Sequence, residues 1–364
     1  MLNKGLIRDC YIKSIHLIPT RKKIAKKLIS KNAEVYERLS IGSKERDLIK
    51  KVWGSVHFDS NWLRFFNSVE REESKPFDAR YIPMDIAYGF VYPYFNFQQG
   101  SSFMDDKNYY DMYFHDVRRP KTVCRIMKGM FMDAAYRLIT KEQAEQLCDE
   151  AGRVIIKPSA LTSGGSGISF RNPNGGGGGL NADNEVVIQE LIKQHEGLSV
   201  LHKDSVNTLR MLTYHDCKAP VLLSAVVRMG ANGSEVDNAS KGGLFCGIKE
   251  DGQLTKYGYN RQGQAFDRHP QGAVFKDCRI PNYDKCKKLV LELSNRLIKV
   301  ARLIAWDIAV ADDGEPVLIE VNLAYSGVDL FQMANGPLFG DRTEEVISEV
   351  FSDKLTRIAN KIFM

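Results

Sequence analysis

The sequence lacks most of the signals that would assign it at a glance. Its seven cysteines fall singly, with no CxxC pair, which argues against a disulfide framework or a structural zinc site and makes a reducing cytoplasm the expected setting. No stretch approaches the roughly 20 consecutive apolar residues of a membrane span. The opening MLNKGLIRDCYIKSIHLIPT has no long apolar core before a small-residue cleavage site, so no secretory leader is read. There is no GxxxxGK[ST] loop, which excludes a P-loop protein, and no HRD and DFG pair of a protein kinase. No repeat recurs at solenoid or propeller periods. The lone histidines His115, His202, His215 and His269 have no metal or triad spacing.

What is present is a chain of 364 residues with ordinary hydrophobic content, long enough for two or three packed units. The formal charge is +6, and it is uneven: residues 1–51 hold 14 Lys and Arg against 5 Asp and Glu, so the remainder is near neutral. In TRKKIAKKLISKNAEVYERL, Ile24, Leu28, Val35 and Leu39 recur at helical spacing between lysines. An amphipathic helix packed on the body is the expectation, with peripheral contact with an anionic membrane as the alternative. No basic patch interleaved with aromatics accompanies the charge, so nucleic acid is not an expected partner.

Residues 1 to about 75 read as mostly helical, with SKERDLIKKVWG running from a Ser43 cap to a Gly54 stop. The aromatic segment YIPMDIAYGFVYPYFNFQQGSSF, broken by prolines and glycines, reads as an irregular connection. From residue 105 the pattern is α+β. Strands are predicted at 154–157, 167–170, 186–191, 209–214, 221–229, 306–311 and 317–321. Helices are predicted for YDKCKKLVLELSNRLIKVARLIA, with Leu289, Leu293, Leu297, Val300 and Ile304 on one side, and for the closing RTEEVISEVFSDKLTRIANKIF. NPNGGGGGLNADN reads as a hairpin tip rather than a phosphate cradle.

Two stretches carry chemistry. In VIIKPSALTSGGSGISF a buried strand ends in Lys157 and a loop holding Gly164, Gly165 and Gly167. A cation beside an amide-rich loop suits a polyanion. The loop fails GxGxxG because Phe170 takes the last glycine's place. In WDIAVADDGEPVLIEVN two apolar strands flank Asp313-Gly314, a dipeptide suited to a hairpin turn. A hairpin centred there sets Asp307 opposite Glu320, with Asn322 on the same face. Facing carboxylates repel unless a cation lies between them, and an all-oxygen set suits Mg²⁺. The plain alternative is an acidic hairpin on the wet face of a sheet.

A lysine-ended KPS strand with a glycine loop, followed far downstream by Asp and then Glu-x-Asn, resembles the ATP-grasp superfamily, D-alanine-D-alanine ligases among them. More narrowly, SVNTLRMLTY, VRMGANGSEVDNASKGGLFCGI and DIAVADDGEPVLIEVN resemble the sugar-transfer-associated ATP-grasp group found among bacterial surface-polysaccharide genes, over roughly residues 100–340.

The resemblance implies an α+β ATP-grasp fold: a basic, mostly helical region (1–100), a small lobe with the glycine loop (101–192) and a large lobe with the metal site (193–364), the two lobes clasping the nucleotide. It implies ATP and Mg as cofactors. Lys157 would contact the α- and β-phosphates, with Lys107 as a first phosphate lysine or simply an exposed one. Gly164, Gly165, Ser166 and Gly167 would cover the triphosphate. Gln189, Glu190, Leu191 and Ile192 would line the adenine. Glu196 would hold the ribose, with Gln194 or His195 as alternatives. Asp307, Glu320 and Asn322 would hold magnesium.

Arg210 and Arg228, each on an apolar strand, need anionic partners. They read either as structural ion pairs or as a clamp on the γ-phosphate or a substrate carboxylate. The peptide-type ligases carry an arginine two residues before the metal Asp, and here that place is Ala305, so transition-state charge falls to Arg228 or Arg210. Asn238 and Lys241 would face the acceptor. The implied activity is a carboxylate-amine ligase working through an acyl phosphate. Its substrates would be a small-molecule or nucleotide-sugar carboxylate and an amine, and its place the cytoplasm or the inner membrane surface. A kinase acting on a hydroxyl and a non-catalytic adaptor of a polysaccharide assembly are the alternatives.

Overall fold

Period-two alternation of apolar residues builds two antiparallel sheets whose facing sides enclose a cleft. The computed structural model describes residues 39–73, 75–96, 102–160, 167–231, 233–237, 242–324 and 326–363. The basic stretch 20–38, the loop residues Gly164, Gly165 and Ser166, and Asn238 and Lys241 lie outside them.

The smaller sheet has β1 (Thr122–Met127), β2 (Met130–Asp133), β3 (Val154–Pro158), β4 (Ser169–Arg171) and β5 (Val186–Glu190), in the order β2-β1-β5-β3-β4. Cys124, Ile126, Val154, Ile156, Val186 and Ile188 point to one side, where they form a core with Ala144 and Cys148 of the Lys141–Ala151 helix. That helix starts at Thr140, whose hydroxyl accepts from the Gln143 amide while the Gln143 side chain accepts from the Thr140 amide. The intervening positions, Ile155 and Lys157, are left for the cleft.

The larger sheet has β6 (Thr208–His215), β7 (Pro220–Met229), β8 (Leu244–Ile248), β9 (Leu254–Tyr259), β10 (Ala265–Phe266), β11 (Leu303–Val310) and β12 (Pro316–Asn322), in the order β10-β9-β8-β7-β6-β11-β12. Leu209, Met211, Ile304, Trp306 and Ile308 face one core with the Tyr283–Arg296 helix. Leu212, Tyr214, Leu303 and Ala305 face the other, which Trp53, Trp62, Phe66, Phe90, Phe95 and Phe351 complete. The N-terminal residues thus pack into the large unit. Where that second face runs out toward the cleft, the inward positions become Arg210, Arg228, Asp307 and Glu320.

Several elements differ from the sequence expectations. The aromatic connector is helical over residues 84–95, with a wide π turn at Ala87–Val91 just before Pro93, which has no amide proton to donate. The predicted long helix stops at Arg296, and Leu303 and Ile304 open β11 against Tyr214 and Thr213; a short apolar run reads alike in either state. The closing helix is two, Thr343–Ser352 and Lys354–Phe363. The first described helix is capped at Gly42, whose amide donates to Glu45, and Ser43 is its first residue. The glycine run does turn back on β4, with Arg171 bridged antiparallel to Gly177, but it does not join neighbouring strands, because β4 and β5 lie on opposite sides of β3.

The segment between the N-terminal helices and β1 is pinned by one carboxylate. Asp111 accepts from Arg119, Arg125 and Thr122, and Arg125 is fully buried on β1. Asp111→Ala strands that guanidinium in a dry site and should cost roughly 3 kcal/mol in urea unfolding, as for a broken buried pair. A loss under about 1 kcal/mol would show that solvent reaches Arg125 instead.

Candidate functional site

A row of charge crosses three strands. Arg210 on β6 lies opposite Asp307 on β11, and Asp307 lies opposite Glu320 on β12. The turn is not centred on the Asp313-Gly314 bond: Ala311 and Glu315 close it around residues 312–314, which shifts the pairing of 308 with 318 by one place. A bulge between Asp307 and Ile308 restores the register, so the two carboxylates still face each other.

Their repulsion is offset by side chains. Arg210 donates from Nε and Nη2 to the two oxygens of Asp307, each at 2.7 Å, and Arg228 adds a bond at 3.1 Å while its Nη2 also reaches Asp237 at 3.0 Å. Lys107 Nζ lies 2.7 Å from Glu320 Oε1. Burial alone would raise the Asp307 carboxyl, yet the two guanidinium groups hold it below the usual carboxylate range. Beside them the Asn322 Nδ2 is buried without a partner. Turning that amide presents its carbonyl instead, and completes an all-oxygen donor set with Glu320 and the remaining lone pairs of Asp307 that a hard divalent cation fits.

The smaller sheet and the segment that precedes it supply the opposing cations, Lys157 and Lys107. Lys157 follows Ile155 on the cleft side of β3, and its Nζ donates to Gln189 at 3.2 Å. Burial, and then the neighbouring Lys107, push its ammonium down to about 8. Lys107 is held from both sides. Its amide donates to Ser159 O, and nearby Tyr110 accepts from the Val321 amide of β12 while donating to Met104 O.

These groups converge on a cleft of about 910 Å³. At one end Ile155, Phe170, Leu191, Ile192 and Ile319 make an apolar slot. The main chain of Leu191 and Ile192 has no backbone partner among the described residues, so it can read a polar edge. Arg153 stacks on Phe170, 4.7 Å from the ring centre, and pairs with Glu235 across the opening.

The wall includes Lys107, Lys157, Glu190, Leu191, Ile192, Arg210, Arg228, Asp307, Glu320 and Asn322, which the sequence singles out. Gln189 stands behind, bonded to Lys157. Glu196 is exposed at the start of a short helix, outside the cleft wall. Gln194 is committed to the backbones of His202, Ser205 and Asn207, and His195 accepts from the Gly197 amide. Ser199, Lys203 and Asp204 line the cleft beyond them. Gly167 is left-handed, φ 79°, and a Cβ there would come within 2.8 Å of the Pro158 ring; glycine is needed for both reasons. Sequence reasoning missed Arg153 and the N-terminal wall of Trp62, Asp85 and Tyr88, because neither has a local signal and both reach the cleft through tertiary contact.

Residues 177–347, a little under half the chain, match the family model described as sugar-transfer associated ATP-grasp. No curated protein sequence matches the chain. Among solved structures the chain is similar to D-alanyl-alanine synthetase A from Vibrio cholerae at 11% identity, covering 71% of this chain and 68% of that one, with TM-score 0.41. It is also similar to the ATP-grasp ligase PsnB complexed with minimal precursor, Mg and ADP, at 12% identity, 70% and 62% coverage and TM-score 0.39, so it spans less than two thirds of PsnB's length. D-cycloserine synthetase DcsG matches at 14% identity, 68% and 70% coverage and TM-score 0.37.

The depressed ammonium gives a signed pH dependence. A polyphosphate held by Lys157 needs the protonated form, so affinity for inorganic triphosphate falls as pH rises through about 8. Calorimetric titration between about pH 7 and 9.5 should show this limb in the parent and a flat response in Lys157→Met. An equal slope in both assigns the proton elsewhere.

Proposed function

We propose, for a chain that belongs to the ATP-grasp superfamily, an ATP- and Mg-dependent ligase that joins a carboxylate to an amine through an acyl phosphate. The observation that carries the reading is the convergence of Lys157 from the smaller sheet, Lys107 from the segment tied to its edge at Ser159, and Arg210 and Arg228 from the larger sheet on one oxygen cluster, across a single cleft. Four cations facing two carboxylates leave room for a polyanion that arrives with its own divalent counter-ion.

In this reading adenine occupies the slot of Ile155, Phe170, Leu191 and Ile192, its edge met by the free main chain of Leu191 and Ile192. The ribose hydroxyls fall to the stretch from Glu196 to Asp204, where Ser199, Lys203 and Asp204 border the cleft. Lys157 holds the α- and β-phosphates, and Gly164, Gly165, Ser166 and Gly167 close over them. Asp307, Glu320 and Asn322 would hold magnesium, which when bound shields charge on the β- and γ-phosphate oxygens. Lys107 neutralises Glu320 until a cation arrives. Arg228, anchored by Asp237, is free to turn from Asp307 to the γ-phosphate, while Arg210 stays bidentate and keeps the Asp307 carboxylate aimed at the cleft.

The substrate carboxylate attacks phosphorus, ADP leaves, and the amine then attacks the acyl carbon, losing a proton as phosphate departs. A closed glycine loop and the Arg153–Glu235 contact keep water from the mixed anhydride. The family's sugar-transfer association favours a sugar acid or amino acid as the carboxylate, in surface-polysaccharide assembly.

Glu320→Gln keeps the shape and removes one anionic oxygen pair; turnover should fall by about a hundredfold or more, with nucleotide still bound. Asp307→Asn leaves Arg210 and Arg228 without their shared anion, and should lose roughly 3 kcal/mol of stability as well as turnover. ATP consumption coupled to mixed carboxylates and amines measures the first, and thermal unfolding the second. A Glu320→Gln protein as active as the parent would sink the reading. Nucleotide consumption that needs no amine, with phosphate found on a hydroxyl, would replace it by phosphotransfer.

A further inference from the structure

The cleft continues past the oxygen cluster to an end that the nucleotide reading leaves without a role. Its wall there comes from three distant parts of the chain: Trp62, Asp85 and Tyr88 from the N-terminal region, Arg261 after β9, and Asp329 from the Val328–Asn335 helix. Tyr88 joins two of these parts by accepting from the amides of Gly327 and Val328.

Charge is handled differently here than at the other end. Asp85 and Asp329 are 3% and 7% exposed, yet among the described residues neither has a cation within 4 Å. Among the described residues the Asp85 oxygens accept from main-chain amides, those of Asp59 and Ile86, and from no cationic side chain. Burial raises the carboxyl of Asp85 to about 6, and it raises that of Asp329, with Arg261 the strongest opposing charge. Every carboxylate of the oxygen cluster, by contrast, touches a lysine or arginine. A second observation is independent of the acids. Trp62, 1% exposed, is part of the cleft wall, and its buried indole Nε1–H has no acceptor among the described residues. A buried donor without an acceptor, beside buried anions without cations, costs free energy that a bound group would recover.

Resting on the ligase reading, we propose that this end of the cleft is the acceptor subsite, and that it takes an ammonium-bearing compound with an oxygen close to the nitrogen, such as an amino sugar or an amino-acid derivative. The ammonium lies against Asp329, on the part of the wall that Asp85 also lines, the Tyr88 and Trp62 rings border it, and the neighbouring oxygen accepts from the Trp62 indole. Arg261 limits the negative charge at Asp329, so that one cation is enough. The Asp329 carboxylate can take the proton that the ammonium must lose to attack an acyl carbon, which places acceptor binding and its activation in one spot.

The test is direct binding to the full chain, without turnover. Glucosamine and alaninamide, and the neutral counterparts glucose and propionamide, are titrated by calorimetry with and without Mg-AMPPNP. At least one ammonium compound should bind about tenfold or more tightly than its neutral counterpart, and Asp329→Asn should abolish that preference. Trp62→Phe should weaken binding by roughly threefold to tenfold. Both variants should bind AMPPNP within about twofold of the parent.

Asp85 also holds two backbone amides, so Asp85→Asn is used only if its melting temperature matches the parent's; Asp329→Asn and Trp62→Phe carry the test in either case. Equal binding of neutral and ammonium compounds, or an unchanged preference in Asp329→Asn, overturns the inference. If AMPPNP binds and ATP is consumed with a carboxylate present while no ammonium in the set binds, the subsite falls and the ligase reading stands. If AMPPNP does not bind but the Asp329-dependent preference persists without it, the ligase reading falls and the ammonium site remains.

Discussion

The arrangement depends on one buried ion pair, the bidentate contact of Arg210 with Asp307. Both residues sit on the second face of the large sheet, where the apolar positions Leu212, Leu303 and Ala305 give way to charge. Neither charge is tolerable there alone, and together they satisfy each other's geometry with two parallel bonds at 2.7 Å. That contact lets the strand carry a carboxylate to the edge of a core and hold it fixed. Arg228 and Glu320 can then be added one strand to either side, because the first pair already sets the direction in which each charge points. A mobile surface acid could not serve in this way, since its position would be set by solvent.

The second sheet is tied to this row through the segment between residues 102 and 113. Arg125, buried on β1, fixes Asp111, and Tyr110 of the same segment accepts from the Val321 amide on β12. Lys107, between these anchors, spans from the smaller sheet to Glu320. The distance between the two faces of the cleft is therefore set by hydrogen bonds at both ends of a short rigid piece. The Arg153–Glu235 pair, about half exposed on both sides, adds a looser contact that can open and close at little cost.

Much of this was legible in the sequence, for identifiable reasons. The strand ending at Lys157 shows because β-branched residues run straight into a lysine and a proline. The facing of Asp307 and Glu320 shows because two apolar strands flank turn formers, although the true turn centre and the bulge are two departures that cancel. The strands β8 and β9 were hidden by their glycines. Gly247 and Gly258 interrupt the side-chain pattern of those strands, and a Cβ would come within 2.2 Å of Asn335 at the first and 2.5 Å of the Phe275 ring at the second; they mark close packing against a sheet. β1 was hidden by Arg125, a charge in mid-strand whose partner lies 14 residues earlier. The aromatic segment from 81 to 95 looked irregular because its period is broken by a π turn and Pro93, and its role became visible only with its partners. Ile82 exchanges two hydrogen bonds with Gln332, and Tyr88 caps Val328. No local pattern encodes contacts across about 240 residues.

The two ends of the cleft are unbalanced in opposite senses, and this follows from where each sheet runs out. At the Lys157 end, cations are crowded enough that burial and Lys107 together depress an ammonium to about 8. At the Asp329 end, burial raises two carboxyls that have no cation in contact. A cavity shared by both cannot relax either imbalance internally, because the Arg210–Asp307 pair stands between them and is already neutral. On the ligase reading each excess would be met by what enters, an anion at one end and a cation at the other, and substrates of opposite charge would be oriented before they touch.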